Sequence, residues 1–279
     1  MLVDDSMGSY SERAVQYNDT NIEQIKSIPK EAMHRNVDLE VVAADEEGEP
    51  FYSYDLTSSS QYYTGYVRTY IVLPSCVYGL ASGPLFSAGL ANRQSMLIPW
   101  LIKAFLARGR AGVFDDGTSV WPWVHIDDTA ALYITVSFSE SPPSQCSRSL
   151  QLLNALLENP QHPGHGWEGF YFGETGELRS IDVVNTIDKV MVDLGKIKPS
   201  EGTPAPWTKE ETDRYFHGVR LLPSLRYARM SSQDTQINLG SNCRAVAARA
   251  HALGWKPTHT AQDYRDTILP EVEYSLTRV

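Results

Sequence analysis

A chain of 279 residues with 42% hydrophobic side chains is long enough to bury one large core or two small ones. Its 34 acidic residues outweigh 24 basic ones, and the net charge of −10 excludes a nucleic-acid surface, which needs clustered Lys and Arg against phosphates. Small molecules or other proteins are the partners such a chain admits.

Residues 30 to 47 read as the first helix, because Ala32, Met33, Val37, Val41 and Val42 recur near helical spacing ahead of the acidic Asp45-Glu46-Glu47. Periodicity then stops. Gly48 to Tyr66 is rich in Ser, Tyr and Thr and reads as a surface insertion, whose removal would leave helix and strand joined by an ordinary loop. Val67 to Leu73 is a β-branched and aromatic strand stopped by Pro74, opening into a βα loop at Ser75-Cys-Val-Tyr-Gly79. Met96 to Arg108 follows as a helix with Leu97, Ile98, Leu101, Ile102, Phe105 and Leu106 on one face, ended by Gly109. Ala111–Phe114 and Val120–Ile126 read as hairpin arms around the turn Asp115-Asp-Gly-Thr118, and Asp127-Asp128 as a carboxylate N-cap for a helix from Thr129 to Phe138.

Beyond the polar, Pro-rich stretch Ser141 to Pro163, Phe170-Tyr-Phe172 is a short strand closed by the turn Gly173-Glu-Thr-Gly176. Ser180 is the expected cap of a helix whose face is Val183, Ile187, Val190, Met191 and Leu194, with Gly195 at its end. Thr208-Lys-Glu-Glu211 and Thr260-Ala-Gln-Asp263 have capping-box spacing. Strands alternating with helices predict an α/β or α+β fold.

Gly164-His-Gly166-Trp-Glu-Gly169 has the G-x-G-x-x-G spacing of a dinucleotide turn, but that turn needs a strand before it and a helix after it. Pro160 and Pro163 precede these glycines and an aromatic strand follows, so the segment reads as loop leading into strand. Trp121-Pro-Trp-Val-His125-Ile-Asp127-Asp128 puts a histidine and an acid two apart, a base-and-orienter arrangement for hydrolysis that lacks a recognisable Ser or Cys nucleophile. A buried polar histidine beside a helix cap fits the same residues. His162 and His165 flank Pro163 without a third ligand nearby, and Cys76, Cys146 and Cys243 are far apart with no C-x-x-C pair, so no metal site is expected. A reducing compartment suits these cysteines. The start, MLVDDSMGSY, has neither a basic nor an apolar signal region, and the apolar runs are too short to span a bilayer. A cytoplasmic chain with no membrane partner is the expectation.

The series VRTYIVLPSCVYG, IPWLIKAFLARG, WPWVHIDDTAALYI, GFYFGETGELRSIDVVNTI and LGWKPT resembles, in that order, the carboxy-terminal two-thirds of the extended short-chain dehydrogenase/reductases. These include the NAD-dependent epimerase/dehydratases, and a fungal group of NAD(P)-binding proteins is similar. The resemblance implies a partial Rossmann-like parallel sheet with a small α/β substrate-cap region. It makes residues 1–279 one incomplete NAD(P)-binding domain, with 80–279 largely cap. It further implies NAD or NADP as cofactor, a small-molecule substrate, and a nicotinamide-side loop at Pro74, Ser75, Cys76 and Val77. His125 falls on a mostly structural strand-to-helix junction.

Two departures bear on activity. No Gly-rich turn after a strand occurs in the first fifty residues, so the amino-terminal βα units look truncated, leaving a sheet edge open to self-association. The family's Tyr-x-x-x-Lys dyad aligns on His34 and Asp38. A histidine can exchange a proton near neutral pH, but an aspartate cannot supply the lysine's cationic hold. Ser6 is the nearest candidate for the family's Ser/Thr. These departures predict weak cofactor binding and impaired catalysis. A non-catalytic dinucleotide-sensing or protein-interaction module is the alternative.

Overall fold

The computed structural model describes residues 15–30, 32, 34–47, 52–54, 61–63, 68–137, 164–200, 202–216 and 240–278. Ser6, Cys146 and His162 lie outside them. The strands β1 (Gln16–Asn18), β4 (Ile71–Pro74), β5 (Cys76–Tyr78), β6 (Val120–His125) and β7 (Phe170–Gly173) enter parallel pairs, the mark of chain crossing over through helices. An α/β architecture results, as the segment order predicts.

One feature of the sheet positions the site. The extended segment from Ile71 to Tyr78 changes partner at Ser75: β4 pairs with β7, Ile71 opposite Phe170, whereas β5 pairs with β6, Cys76 opposite Trp123. The far edge of β6 is taken by β8 (Glu177–Arg179), antiparallel. β1 pairs with β9 (Arg244–Val246). Two shorter strands, β2 (Tyr52–Tyr54) and β3 (Gln61–Tyr63), pair antiparallel, so part of the segment read as a loop carries a hairpin.

Helices cover this framework by their apolar stripes. On α4 (Leu97–Arg108), Ile98, Leu101, Ile102 and Phe105 are buried at helical spacing, and Gly109 closes the helix in the left-handed conformation at φ 77°. These side chains share a core with Val183, Val184, Ile187 and Met191 of α6 (Ser180–Asp193) and with Tyr264, Ile268 and Val272 of α9 (Ala261–Leu276). Phe105 stacks on Trp207, and truncating so buried a ring to Ala costs about 3–5 kcal/mol. A second core joins Ile25 of α1 (Ile22–Lys26), Val42 of α2 (Arg35–Glu46), Leu132 and Val136 of α5 (Ile126–Ser137), Phe170–Phe172, and Trp255 just after α8 (Ala248–Ala252). The Thr208 capping box forms in full at the start of α7 (Lys209–Tyr215).

Four local expectations are corrected. Ala111–Phe114 and Val120–His125 are not hairpin arms: Val113 bridges to Pro206 while β6 pairs with β5 and β8, because burial of Val120 and Trp123–His125 is satisfied by neighbours on both edges. Asp127 and Asp128 lie inside the first turn of α5 rather than ahead of it. Asp128 spends its carboxylate on the distant segment Thr258–His259. Arg179, not Ser180, is the N-cap of α6, and it makes no side-chain cap bond. The helix expected over residues 30 to 47, which is α2, starts only at Arg35, since His34 sits at φ 65°. The Gly164–Gly169 segment is loop, a 3-10 turn at Gly166–Glu168, then β7, as its context predicts.

Candidate functional site

Where the strand changes partner at Ser75, a cavity of about 520 Å³ opens, within the usual range of small-molecule sites. One wall is the start of α2, with His34, Arg35 and Asp38; another is Leu73 and Pro74, Ser75, Cys76 and Val77. Met96, Leu97 and Trp100 at the start of α4, Trp121 and Pro122 on β6, and Phe170 and Phe172 on β7 close much of the rest, with Cys243 and Ala245. The lining is predominantly apolar. All six residues singled out from the sequence, two at the dyad positions and four in the loop, face this one space.

His34 and Asp38, which the resemblance sets against Tyr-x-x-x-Lys, stand at the start of α2. His34 is the N-cap of α2 in the left-handed region, with no side-chain cap bond, and its carbonyl accepts the first helical N–H, from Asp38 at 3.1 Å. Burial pushes the Asp38 carboxyl above its ordinary range, opposed by Arg35, whose Nη1 stands 3.8 Å from Asp38 Oδ2. The Cys76 thiol is held well above its usual range by burial and then by Cys243, so it is a protonated wall group and not a nucleophile. Neither Cys76 nor Cys243 is in a disulfide.

His125 lies outside this cavity. Its Nδ1 accepts the Asp127 N–H at 3.2 Å, while the Asp127 carboxylate stands 3.7 Å away and is largely exposed, which is too far to orient the ring. Its ring stacks on His259 with centroids 3.7 Å apart and planes 18° from parallel. Burial, then His259, lowers its pKa. The hydrolytic arrangement is therefore not made. Ligating atoms of His125, Asp127 and His259 lie within 4.8 Å of one another, but ring lone pairs point in the ring plane, and stacked rings cannot both aim at one ion. His165 also has a structural partner: its Nδ1 meets Asp45 Oδ1 at 2.8 Å, and Asp45 also accepts the Thr69 N–H.

Sequence reasoning missed Arg35, Trp100, Trp121 and Cys243 as cavity residues. Arg35 carried a signal, an R-x-x-D pair on one helix face beside the dyad positions. The others reach the site only through folding.

Residues 49–142, about a third of the chain, match the model of the NAD dependent epimerase/dehydratase family. No curated protein matches. Among solved structures, a UDP-glucuronic acid 4-epimerase from Bacillus cereus, in complex with UDP-glucuronic acid and NAD, is 15% identical at a TM-score of 0.39, covering 75% of this chain and 46% of that one. A dTDP-glucose 4,6-dehydratase from Bacillus anthracis, in complex with NAD, is 13% identical at 0.47, covering 98% of this chain and 59% of that one. The chain spans about half the length of the structures it matches. No helix among the described residues is long and apolar enough to cross a membrane. Over residues 49–142 the chain is similar to the NAD dependent epimerase/dehydratase family, the family that its order of segments resembles.

Proposed function

We infer that the chain is of the NAD(P)-dependent epimerase/dehydratase or reductase kind, with the cavity at Ser75 as its ligand site and with catalysis impaired by the residues at the dyad positions. The observation that carries this reading is that His34, Asp38 and Pro74–Val77 line one cavity. A dinucleotide bound there would supply hydride chemistry. Of the chain's own groups, His34 can hold or pass a proton at its ring, and the apolar walls exclude water from the reacting face. Asp38 places a carboxyl, not an ammonium, where a ribose would be held. Losing one charge-assisted hydrogen bond of about 1.5–3 kcal/mol weakens binding roughly ten- to a hundredfold. The alternative, a non-catalytic dinucleotide sensor, draws on the same replacement.

Asp38→Lys tests the reading. It is expected to tighten NADPH binding about tenfold or more, whereas Asp188→Lys on α6, remote from the cavity lining, leaves it unchanged. Equal affinity in wild type and Asp38→Lys would remove the cationic-hold explanation. Rapid conversion of UDP-glucose by wild type with NAD to an epimerised, dehydrated or oxidised sugar nucleotide would remove the claim of impairment.

A further inference from the structure

Arg35 is the most unusual group at the cavity. It is 2% exposed, yet its guanidinium has only one firm hydrogen bond, Nη2 to the Ile25 carbonyl at 2.8 Å. Among the described residues, Nε and Nη1 have no hydrogen-bond partner. Nη1 is 3.8 Å from Asp38 Oδ2, beyond hydrogen-bond length, and the guanidinium lies 5.3 Å from the centre of the Trp167 ring. A buried cation needs partners for its charge and for its N–H groups; this one has the Asp38 carboxylate only at 3.8 Å, and its Nε and Nη1 lack a hydrogen-bond partner among the described residues. The same wall is the start of a twelve-residue helix, whose N-cap His34 makes no side-chain cap bond. The Arg35 and Val37 N–H groups are taken by the Ala32 and His34 carbonyls, so it is the helix dipole that favours an anion at that end.

We propose that the cavity binds a small apolar carboxylic acid as its anion, with the carboxylate against the Arg35 guanidinium at the start of α2 and the hydrocarbon body on the apolar wall. The planar guanidinium fork matches a carboxylate in bidentate fashion, and turning about the Ile25 tether exchanges the long Asp38 contact for two short ones. A monoanion suits the site better than a phosphate dianion. Arg35 is the one permanent cation in the lining, against the Asp38 carboxyl, with the Cys76 thiol neutral, so a second ligand charge would have only the His34 ring to meet it. Ile25, Leu73, Met96, Trp100, Phe170 and Phe172 supply the surface for the body.

The inference rests on the reading of this cavity as a ligand site, but on neither the dinucleotide nor catalysis. Its test titrates the purified chain with 3-phenylpropanoate, 3-phenylpropanamide and phenethyl phosphate by saturation-transfer NMR. The carboxylate is expected to bind at least tenfold more tightly than the amide and than the phosphate. Arg35→Met should abolish that preference while leaving amide binding within about twofold. Arg35→Lys, which keeps the charge but not the fork, should retain a reduced preference and serves if Arg35→Met does not fold. Equal binding of acid and amide, a preference for the phosphate, no saturation by the acid, or an undiminished preference in either variant would each overturn the proposal. NADH titration of the same sample separates the two readings: dinucleotide binding without carboxylate binding sinks this one alone, and carboxylate binding without dinucleotide binding leaves it standing.

Discussion

Glu271→Gln should remove a component of the pH dependence of stability. Glu271 is 0% exposed on α9; its Oε1 accepts the Gly79 N–H, and its Oε2 has no hydrogen-bond partner among the described residues. Burial pushes its pKa from 4.5 to about 7, against the smaller opposing effect of the Gly79 bond. A carboxyl whose folded pKa is raised is favoured in its neutral form, so its contribution is full below the unfolded value and is lost as pH rises through about 7. At about 1.4 kcal/mol per unit, the shift corresponds to roughly 3 kcal/mol, most of which disappears between pH 5 and pH 8. For a chain of this size that is a fall of roughly 5–10 °C in Tm. Glutamine keeps the acceptor for Gly79 and cannot ionise. Thermal melts of both proteins across that range should therefore diverge, the wild type losing several degrees more than the variant on the alkaline side. Parallel curves would show that folding does not raise the Glu271 pKa.

Three further outcomes follow from local geometry. Gly79→Ala drives a Cβ into the His125 ring at Nε2, at a residue with φ +91°, so a loss of about 2 kcal/mol or more is expected in urea unfolding, and a loss below about 0.5 would refute the contact. Gly166→Ala sets a Cβ 2.9 Å from Asp45 Oδ1 at φ +58° and should cost about 1–3 kcal/mol, with NADPH affinity unchanged in the folded variant; a selective loss of nucleotide binding would reinstate the glycine motif as a phosphate turn. Asp45→Ala leaves the Thr69 N–H and the His165 ring without their shared acceptor and should lower stability by about 1–3 kcal/mol, a variant as stable as wild type contradicting that role.

What the sequence disclosed tracks the range over which each interaction acts. The stripe Ile98, Leu101, Ile102, Phe105 and the Thr208–Glu211 capping box are decided within one or two turns, and both form as their spacing predicts. The Gly164–Gly169 segment was legible for the same reason, because Pro160 and Pro163 exclude a feeding strand. Pairing is another matter. Nothing in Val120–His125 says that its neighbours are Cys76–Tyr78 and Glu177–Arg179, so an intervening D-G turn suggested a hairpin that does not form. Asp128 looked like a cap because its partners, Thr258 and His259, lie about 130 residues away. At the cavity, His34, Asp38 and the Pro74–Val77 loop were reachable through a family resemblance. The environment of Arg35 was not, since Ile25 and Trp167 come from different parts of the chain.

The central claim is that the cavity is a ligand site whose dyad positions hold a dinucleotide poorly. It is tested most directly by titrating the purified chain with NADH and NADPH and following energy transfer from Trp100 and Trp121, which line the cavity. The account predicts transfer that is lost with both residues changed to Phe, and a dissociation constant of roughly 100 μM or weaker. A low-micromolar constant, or transfer that survives both substitutions, would contradict it.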